Sequence, residues 1–134
     1  MSKPLALIVD DEPDIRELLE ITLARMDIDA RSADSLESAM AWLQKEKFQL
    51  CLTDMHLPDG SGISLVQAIQ RDHPYLPVAV ITAYGSMEAA VASLKAGAFD
   101  FVSKPVELPR LRELVNTALR LRDAPDELPE DSRL

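Results

Sequence analysis

The sequence predicts an open α/β fold in which five parallel strands alternate with five helices. Three observations carry that prediction. Short strand-like runs recur along the 134 residues, and those at 5–9, 50–52 and 78–81 are continuously apolar. Each is followed by a segment whose apolar residues return at helical spacing. Four of the five runs also end on a polar or charged side chain at the point where a ligand would meet the carboxyl edge of a parallel sheet.

The first run, Leu5-Ala6-Leu7-Ile8-Val9, is apolar throughout, as expected of a strand covered on both faces, and ends in Asp10-Asp11-Glu12. Pro13 suits a first helical position. Ile15, Leu18, Leu19, Thr22 and Met26 mark one face of a helix of about 14 residues, and the acidic opening complements its dipole. A weaker, polar strand from Asp29 to Ala33 fits a sheet edge. Asp34 or Ser35 then caps a second helix with Leu36, Ala39, Met40 and Leu43 on one face and Trp42 to its side.

The third run, Leu50 to Thr53, meets Asp54 and breaks into Met55-His56-Leu57-Pro58-Asp59-Gly60-Ser61-Gly62, a loop by composition. Ile63, Val66 and Ile69 mark a third helix that stops near His73-Pro74. Val78 to Ile81 is a buried strand ending at Thr82. Ser86 caps a fourth helix with Met87, Ala90, Val91 and Leu94 inward, and Gly97 ends it. Phe101-Val102-Ser103 is the fifth strand and runs into Lys104-Pro105. The last helix, Leu108 to about Arg122, carries Leu108, Leu111, Leu114, Val115, Ala118, Leu119 and Leu121, a wider apolar set than one core-facing stripe requires. Residues 1–122 therefore read as one domain. Residues 123–134, acidic and Pro-containing, read as a linker or tail.

With 23 acidic against 14 basic side chains, the net charge of −9 repels nucleic acid and anionic lipid. No direct nucleic-acid contact is expected. Neither is membrane insertion, since no apolar run approaches the roughly 20 residues of a membrane span. The amino terminus lacks signal-peptide features, so a cytoplasmic location is expected. Cys51, the lone cysteine, sits in a strand-like run and fits a small buried hydrophobe, and His73 fits a helix end.

The strand ends carry the chemistry. In the order 2-1-3-4-5 the first and third strands are neighbours, about 4.8 Å apart, so Asp10, Asp11 and Asp54 crowd together with Thr82 and Lys104 flanking them. Three carboxylates that close require a compensating cation. A hard divalent ion such as Mg²⁺ suits all-oxygen ligands, and Mg²⁺ with the Lys104 ammonium balances three negative charges. Such a pocket suits an incoming phosphoryl group, with Asp54 as nucleophile and Thr82 donating to a phosphoryl oxygen. Taken singly, Asp54 or Thr82 also fits a turn former, Asp11 a residue opening a helix, and Lys104 a solvated charge.

Val9-Asp10-Asp11-Glu12-Pro13, Leu52-Thr53-Asp54-Met55-His56-Leu57-Pro58-Asp59-Gly60, Ile81-Thr82-Ala83-Tyr84 and Phe101-Val102-Ser103-Lys104-Pro105 together resemble the receiver domain of two-component response regulators, over residues 5 to 122. Ile81 to Ser86 and Lys95 to Phe101 look most like the NtrC-type branch, which activates the sigma-54 form of RNA polymerase, and within it the regulators of type IV pilus genes. The resemblance implies a flavodoxin-like, CheY-like fold. It implies that Asp54 takes a phosphoryl group from a sensor histidine kinase, and that Mg²⁺ is held by Asp11, Asp54 and the His56 backbone carbonyl, with Asp10 acting largely through water. Lys104 would contact the phosphoryl group, and its bond to Pro105 would be cis. Thr82 and Phe101 would form the switch pair, Phe101 standing where many relatives have Tyr. His56 and Tyr84 would tune the lifetime of the acyl phosphate. The domain would be a signalling module that assists its own phosphorylation and dephosphorylation rather than an enzyme. ATPase and DNA-binding modules would follow in a longer chain, and a homodimer would form through the face of helix 4, strand 5 and helix 5.

Two other readings remain open on the residues. A phosphatase of the haloacid dehalogenase kind fits poorly, because it carries Asp-x-Asp after its first strand. A receiver-like binding module is the other: one that is never phosphorylated usually lacks an acidic or Lys position that is present here, whereas a stand-alone receiver acting on a separate target stays open.

Overall fold

Five strands form one parallel sheet in the order β2-β1-β3-β4-β5, as the alternation predicts. The computed structural model describes residues 3–83 and 86–123. Numbering only the strands of the main sheet, the chain runs β1 (Leu5–Val9), α1 (Pro13–Arg25), β2 (Asp29–Ala33), α2 (Leu36–Lys45), β3 (Leu50–Thr53), α3 (Gly62–Asp72), β4 (Val78–Thr82), α4 (Met87–Ala96), β5 (Asp100–Ser103) and α5 (Leu108–Asp123). Asp123 closes the last helix, and the rest of the acidic segment assigned to 123–134 lies outside the described residues.

The continuous apolar runs follow from burial on both faces. Ala6 and Ile8 of β1 pack toward Leu19 and Leu23 of α1 and Leu111, Leu114, Val115 and Ala118 of α5. Leu7 and Val9 pack on the other face with residues of α2 and α3, such as Leu43, Val66 and Ile69. β2, polar and largely half-exposed, lies at the edge. Cys51 is fully buried, and burial pushes its thiol pKa up, away from thiolate chemistry.

The capping expectations hold in geometry. Pro13 opens α1, the Ser35 hydroxyl accepts from Ser38 N–H, the Ser86 hydroxyl accepts from Ala89 N–H, and Gly97 ends α4 at φ 123°. His73 follows the last residue of α3.

Four details differ from the sequence reading. Leu23, outside the expected stripe of α1, is fully buried, whereas Ile15, Leu18 and Met26 are only partly so. The loop after β3 contains a small antiparallel hairpin, His56–Leu57 with Gly60–Ser61. Helix α3 starts at Gly62, with the Ser61 hydroxyl accepting from Ile63 N–H. Most consequential is the rotation of α4. Met87, Val91 and Leu94, expected inward, are 81%, 44% and 50% exposed, while Ser93 is fully buried and Ala89 and Ala96 pack on the core. Small side chains let α4 approach its neighbours closely, and the Ser93 hydroxyl donates to the Ala89 carbonyl at 2.9 Å, so its burial leaves no donor unpaired. The end of α4 is equally tight, because a Cβ on Gly97 would lie 2.3 Å from the Gln70 side chain, whose amide donates to the Gly97 carbonyl. On α5, Leu108 and Leu121 at the two ends stay 37% and 43% exposed while the middle of the stripe is buried.

Among the described residues no helix is long and apolar enough to cross a membrane.

Candidate functional site

Sheet register brings three strand ends together. Val9 pairs with Thr53, so the residues that follow, Asp10 and Asp54, leave the sheet side by side. Thr82 pairs with Ser103, which places Lys104 one step beyond the end of β4. The ladder continues past each strand: Asp54 N–H donates to the Val9 carbonyl at 2.8 Å, Asp10 N–H to Ala33 at 3.0 Å and Lys104 N–H to Thr82 at 2.8 Å. The backbones at the site are therefore as rigid as the sheet.

From that anchor the Lys104 side chain reaches across the edge of the sheet. Its Nζ lies 2.9 Å from Asp10 Oδ2, 3.2 Å from Asp54 Oδ2 and 2.8 Å from Glu12 Oε1. Asp10 Oδ1 also accepts from Glu12 N–H at 2.9 Å, and Asp54 Oδ1 from His56 N–H at 3.3 Å. Arg16 donates to the Asp10 carbonyl at 2.7 Å, tying the first turn of α1 to the strand end.

The electrostatics follow from burial and charge. Burial raises the Asp10 pKa, and the Glu12 N–H and the Lys104 ammonium only partly offset this. Burial pulls the Lys104 pKa down, but its bonds to Glu12, Asp10 and Asp54 outweigh that effect and hold it above the usual lysine range. Lys104 is thus a fixed cation.

One oxygen each from Asp10, Asp11 and Asp54 lies within 4.8 Å of the others, with Asp10 and Asp54 buried and Asp11 exposed. This all-carboxylate donor set, open to solvent on the Asp11 side, fits a hard divalent cation such as Mg²⁺. The opening is lined by Asp11, Glu12, Asp54, His56, Ala83 and Lys104.

Thr82 is fully buried at the end of β4. Phe101 pairs with Val80, two residues before Thr82, so alternation along the strands puts Phe101 and Thr82 on one face of the sheet. Phe101 is half-buried there. The Lys104–Pro105 bond is cis, as expected. His56 is exposed on the pocket wall, and Tyr84 lies outside the described residues.

Three residues have roles at the site that the sequence reading did not single out, although Asp59 and Gly62 lie in the loop after Asp54 expected to rim the pocket. Glu12 supplies the third partner of Lys104; its signal was a third consecutive acid, assigned instead to the opening of α1. Gly62 packs against the main chain of Asp54, because a Cβ there would lie 2.0 Å from the Asp54 carbonyl oxygen. Asp59, at the turn of the hairpin, accepts from Leu36 N–H at 2.7 Å and Glu37 N–H at 3.0 Å, joining the loop after Asp54 to the start of α2.

Residues 6–116 match the response regulator receiver domain. The chain is 65% identical over its whole length to the response regulator protein PilR of Pseudomonas aeruginosa, covering 30% of that protein. It is 38% identical over 92% of its length to the nitrogen assimilation regulatory protein NtrX of Azorhizobium caulinodans, covering 28% of it. The chain thus spans under a third of these curated relatives. Among solved structures it is similar to the beryllofluoride-activated NtrC4 receiver domain dimer, with TM-score 0.84 and 30% identity over 88% of this chain and 98% of that one. It is also similar to NtrX from Brucella abortus in complex with ADP, with TM-score 0.88 and 33% identity over 93% of this chain and 29% of that one. The paired strand ends, the acidic cluster and the lysine that closes it stand in a chain similar to PilR and to NtrC, and the chain belongs to the response regulator receiver domain family.

Proposed function

We propose that this receiver domain takes a phosphoryl group on Asp54 from the phosphohistidine of a sensor histidine kinase, and that the modified domain controls a sigma-54-dependent activator of type IV pilus genes. The observation that carries the phosphoryl reading is the Lys104 ammonium, 3.2 Å from Asp54 Oδ2 at the mouth of an acidic cluster. A carboxylate oxygen of Asp54 attacks phosphorus as the P–N bond breaks, and the electron pair leaves with the imidazole nitrogen. Lys104 stabilises the charge on the phosphoryl oxygens, and Thr82 donates its hydroxyl to one of them. Asp11, Asp54 and the His56 carbonyl would hold Mg²⁺, with Asp10 acting through water; when bound, the ion neutralises phosphoryl and carboxylate charge.

The family and the relatives lend support to further elements of this proposal. The domain works in the cytoplasm as a signalling module, and residues 123–134 lead toward ATPase and DNA-binding modules. Thr82 and Phe101, on one sheet face, act as the switch pair. The outward apolar side chains of α4, Met87, Val91 and Leu94, are the contact face of a homodimer that includes β5 and α5. The pilus assignment rests on the 65% identity to PilR.

The decisive experiment is incubation with acetyl phosphate and Mg²⁺ followed by intact mass measurement. A single phosphoryl addition that is lost in Asp54→Ala and on chelation of the metal is the expected result. An unmodified wild-type chain beside a labelled control receiver, or an adduct that persists in Asp54→Ala, overturns the reading.

A further inference from the structure

A lysine ammonium has three N–H donors, and in this structure Lys104 faces three carboxylates, Asp10, Glu12 and Asp54. A phosphoryl oxygen that takes a donor from Lys104 therefore displaces one of them. The three are not equally held. Asp10 is 2% exposed and also bound to Glu12 N–H, so separating it from Lys104 leaves a buried carboxylate poorly compensated. Asp54 is the acceptor itself, tethered through Oδ1 to His56 N–H. The Glu12 side chain is 59% exposed, so water readily replaces the ammonium there.

The Glu12 contact with Lys104 is set by the fold and not by its own helix. Glu12 occupies the N-cap position of α1, yet its side chain makes no cap hydrogen bond, and its Oε1 lies 2.8 Å from an ammonium 92 residues along the chain. The shorter Asp, Asn, Ser and Thr are the side chains that fit the N-cap bond, so the Glu12 carboxylate is left to take the partner the fold supplies.

Resting on the phosphoryl-acceptor reading above, we propose that Glu12 is the displaceable occupant of Lys104: its carboxylate holds the ammonium in the resting domain and competes with the phosphoryl group for it. Glu12 thereby restrains phosphoryl capture. It is a positioning residue acting through Lys104, and its negative charge beside the shared ammonium adds like-charge repulsion against the incoming group.

The test is the affinity of beryllofluoride, a phosphoryl analogue, measured by isothermal titration calorimetry on wild type, Glu12→Gln and Glu12→Asp in saturating Mg²⁺. Glu12→Gln should bind tighter by about twofold to fivefold, the range expected for a largely exposed ion pair. Glu12→Asp, which keeps the charge but shortens the reach by one methylene, should tighten binding as well. A role in folding alone predicts the opposite sign, since a loosened pocket binds less well. Unchanged or weaker binding in Glu12→Gln overturns the proposal, and so does a wild-type affinity in Glu12→Asp. A wild-type chain that binds no beryllofluoride overturns the phosphoryl-acceptor reading and this inference together; normal wild-type binding with an inert Glu12 overturns this inference alone.

Discussion

Gly62 lies directly against the main chain of Asp54. Its N–H donates to the Met55 carbonyl at 2.7 Å, and a Cβ built on it would sit 2.0 Å from the Asp54 carbonyl oxygen. The obstacle is backbone anchored in the sheet, so it cannot step aside. Gly62→Ala is expected to destabilise the domain by about 3 kcal/mol, the upper part of the usual overpacking range, seen as a lower urea midpoint. Labelling of Asp54 by acetyl phosphate should slow with it. An unchanged midpoint would show that α3 can shift away freely.

Asp59 ties the hairpin to α2. The N–H groups of Leu36 and Glu37 lower its pKa from the ordinary 3.8, because both bonds favour the ionised form. A carboxylate with a depressed folded pKa contributes stability above its unfolded pKa and loses it as the pH falls through the folded value. Asp59→Ala should therefore melt below wild type at neutral pH, with the gap closing as the pH drops below 3.8. A gap of constant size from pH 7 to pH 2 would contradict this.

Asp10 has the reverse sign. Burial raises its pKa, so its contribution is fully present below the unfolded value and lost as the pH rises through the folded one. At neutral pH the ionised group is a net burden on the fold. Asp10→Asn should raise the urea midpoint at pH 7 and lose that advantage in acid. A lower midpoint at pH 7 would mean that the Lys104 contact outweighs the cost of burial.

The orientation of α4 is open to a paired substitution. Leu94→Ser, on the outer face, should change stability by no more than about 0.5 kcal/mol. Ser93→Leu, one residue earlier and fully buried, should cost about 2 kcal/mol through overpacking. Equal effects in chemical denaturation would place the helix in a different rotation.

The alternation of strands and helices was legible because it is local. Continuous apolar runs can be counted along β1, β3 and β4, and Pro13, Ser86 and Gly97 act within one turn of where they stand. The strand-end residues Asp10, Asp54 and Lys104 were legible for the same reason: a parallel sheet brings its carboxyl ends to one edge, so naming the strands names their neighbours.

What only the tertiary structure decided involves residues far apart in the chain. The side of α4 that turns inward depends on how closely Gly97 meets Gln70 and on the room beneath Ser93, and the apolar stripe of Met87, Val91 and Leu94 does not record it. Asp59 caps a helix that begins 23 residues earlier, and the Glu12 carboxylate reaches an ammonium 92 residues away. Each is a short polar or steric contact whose direction is set by packing, because a side chain takes the partner that the fold brings within reach and periodicity carries no trace of that partner.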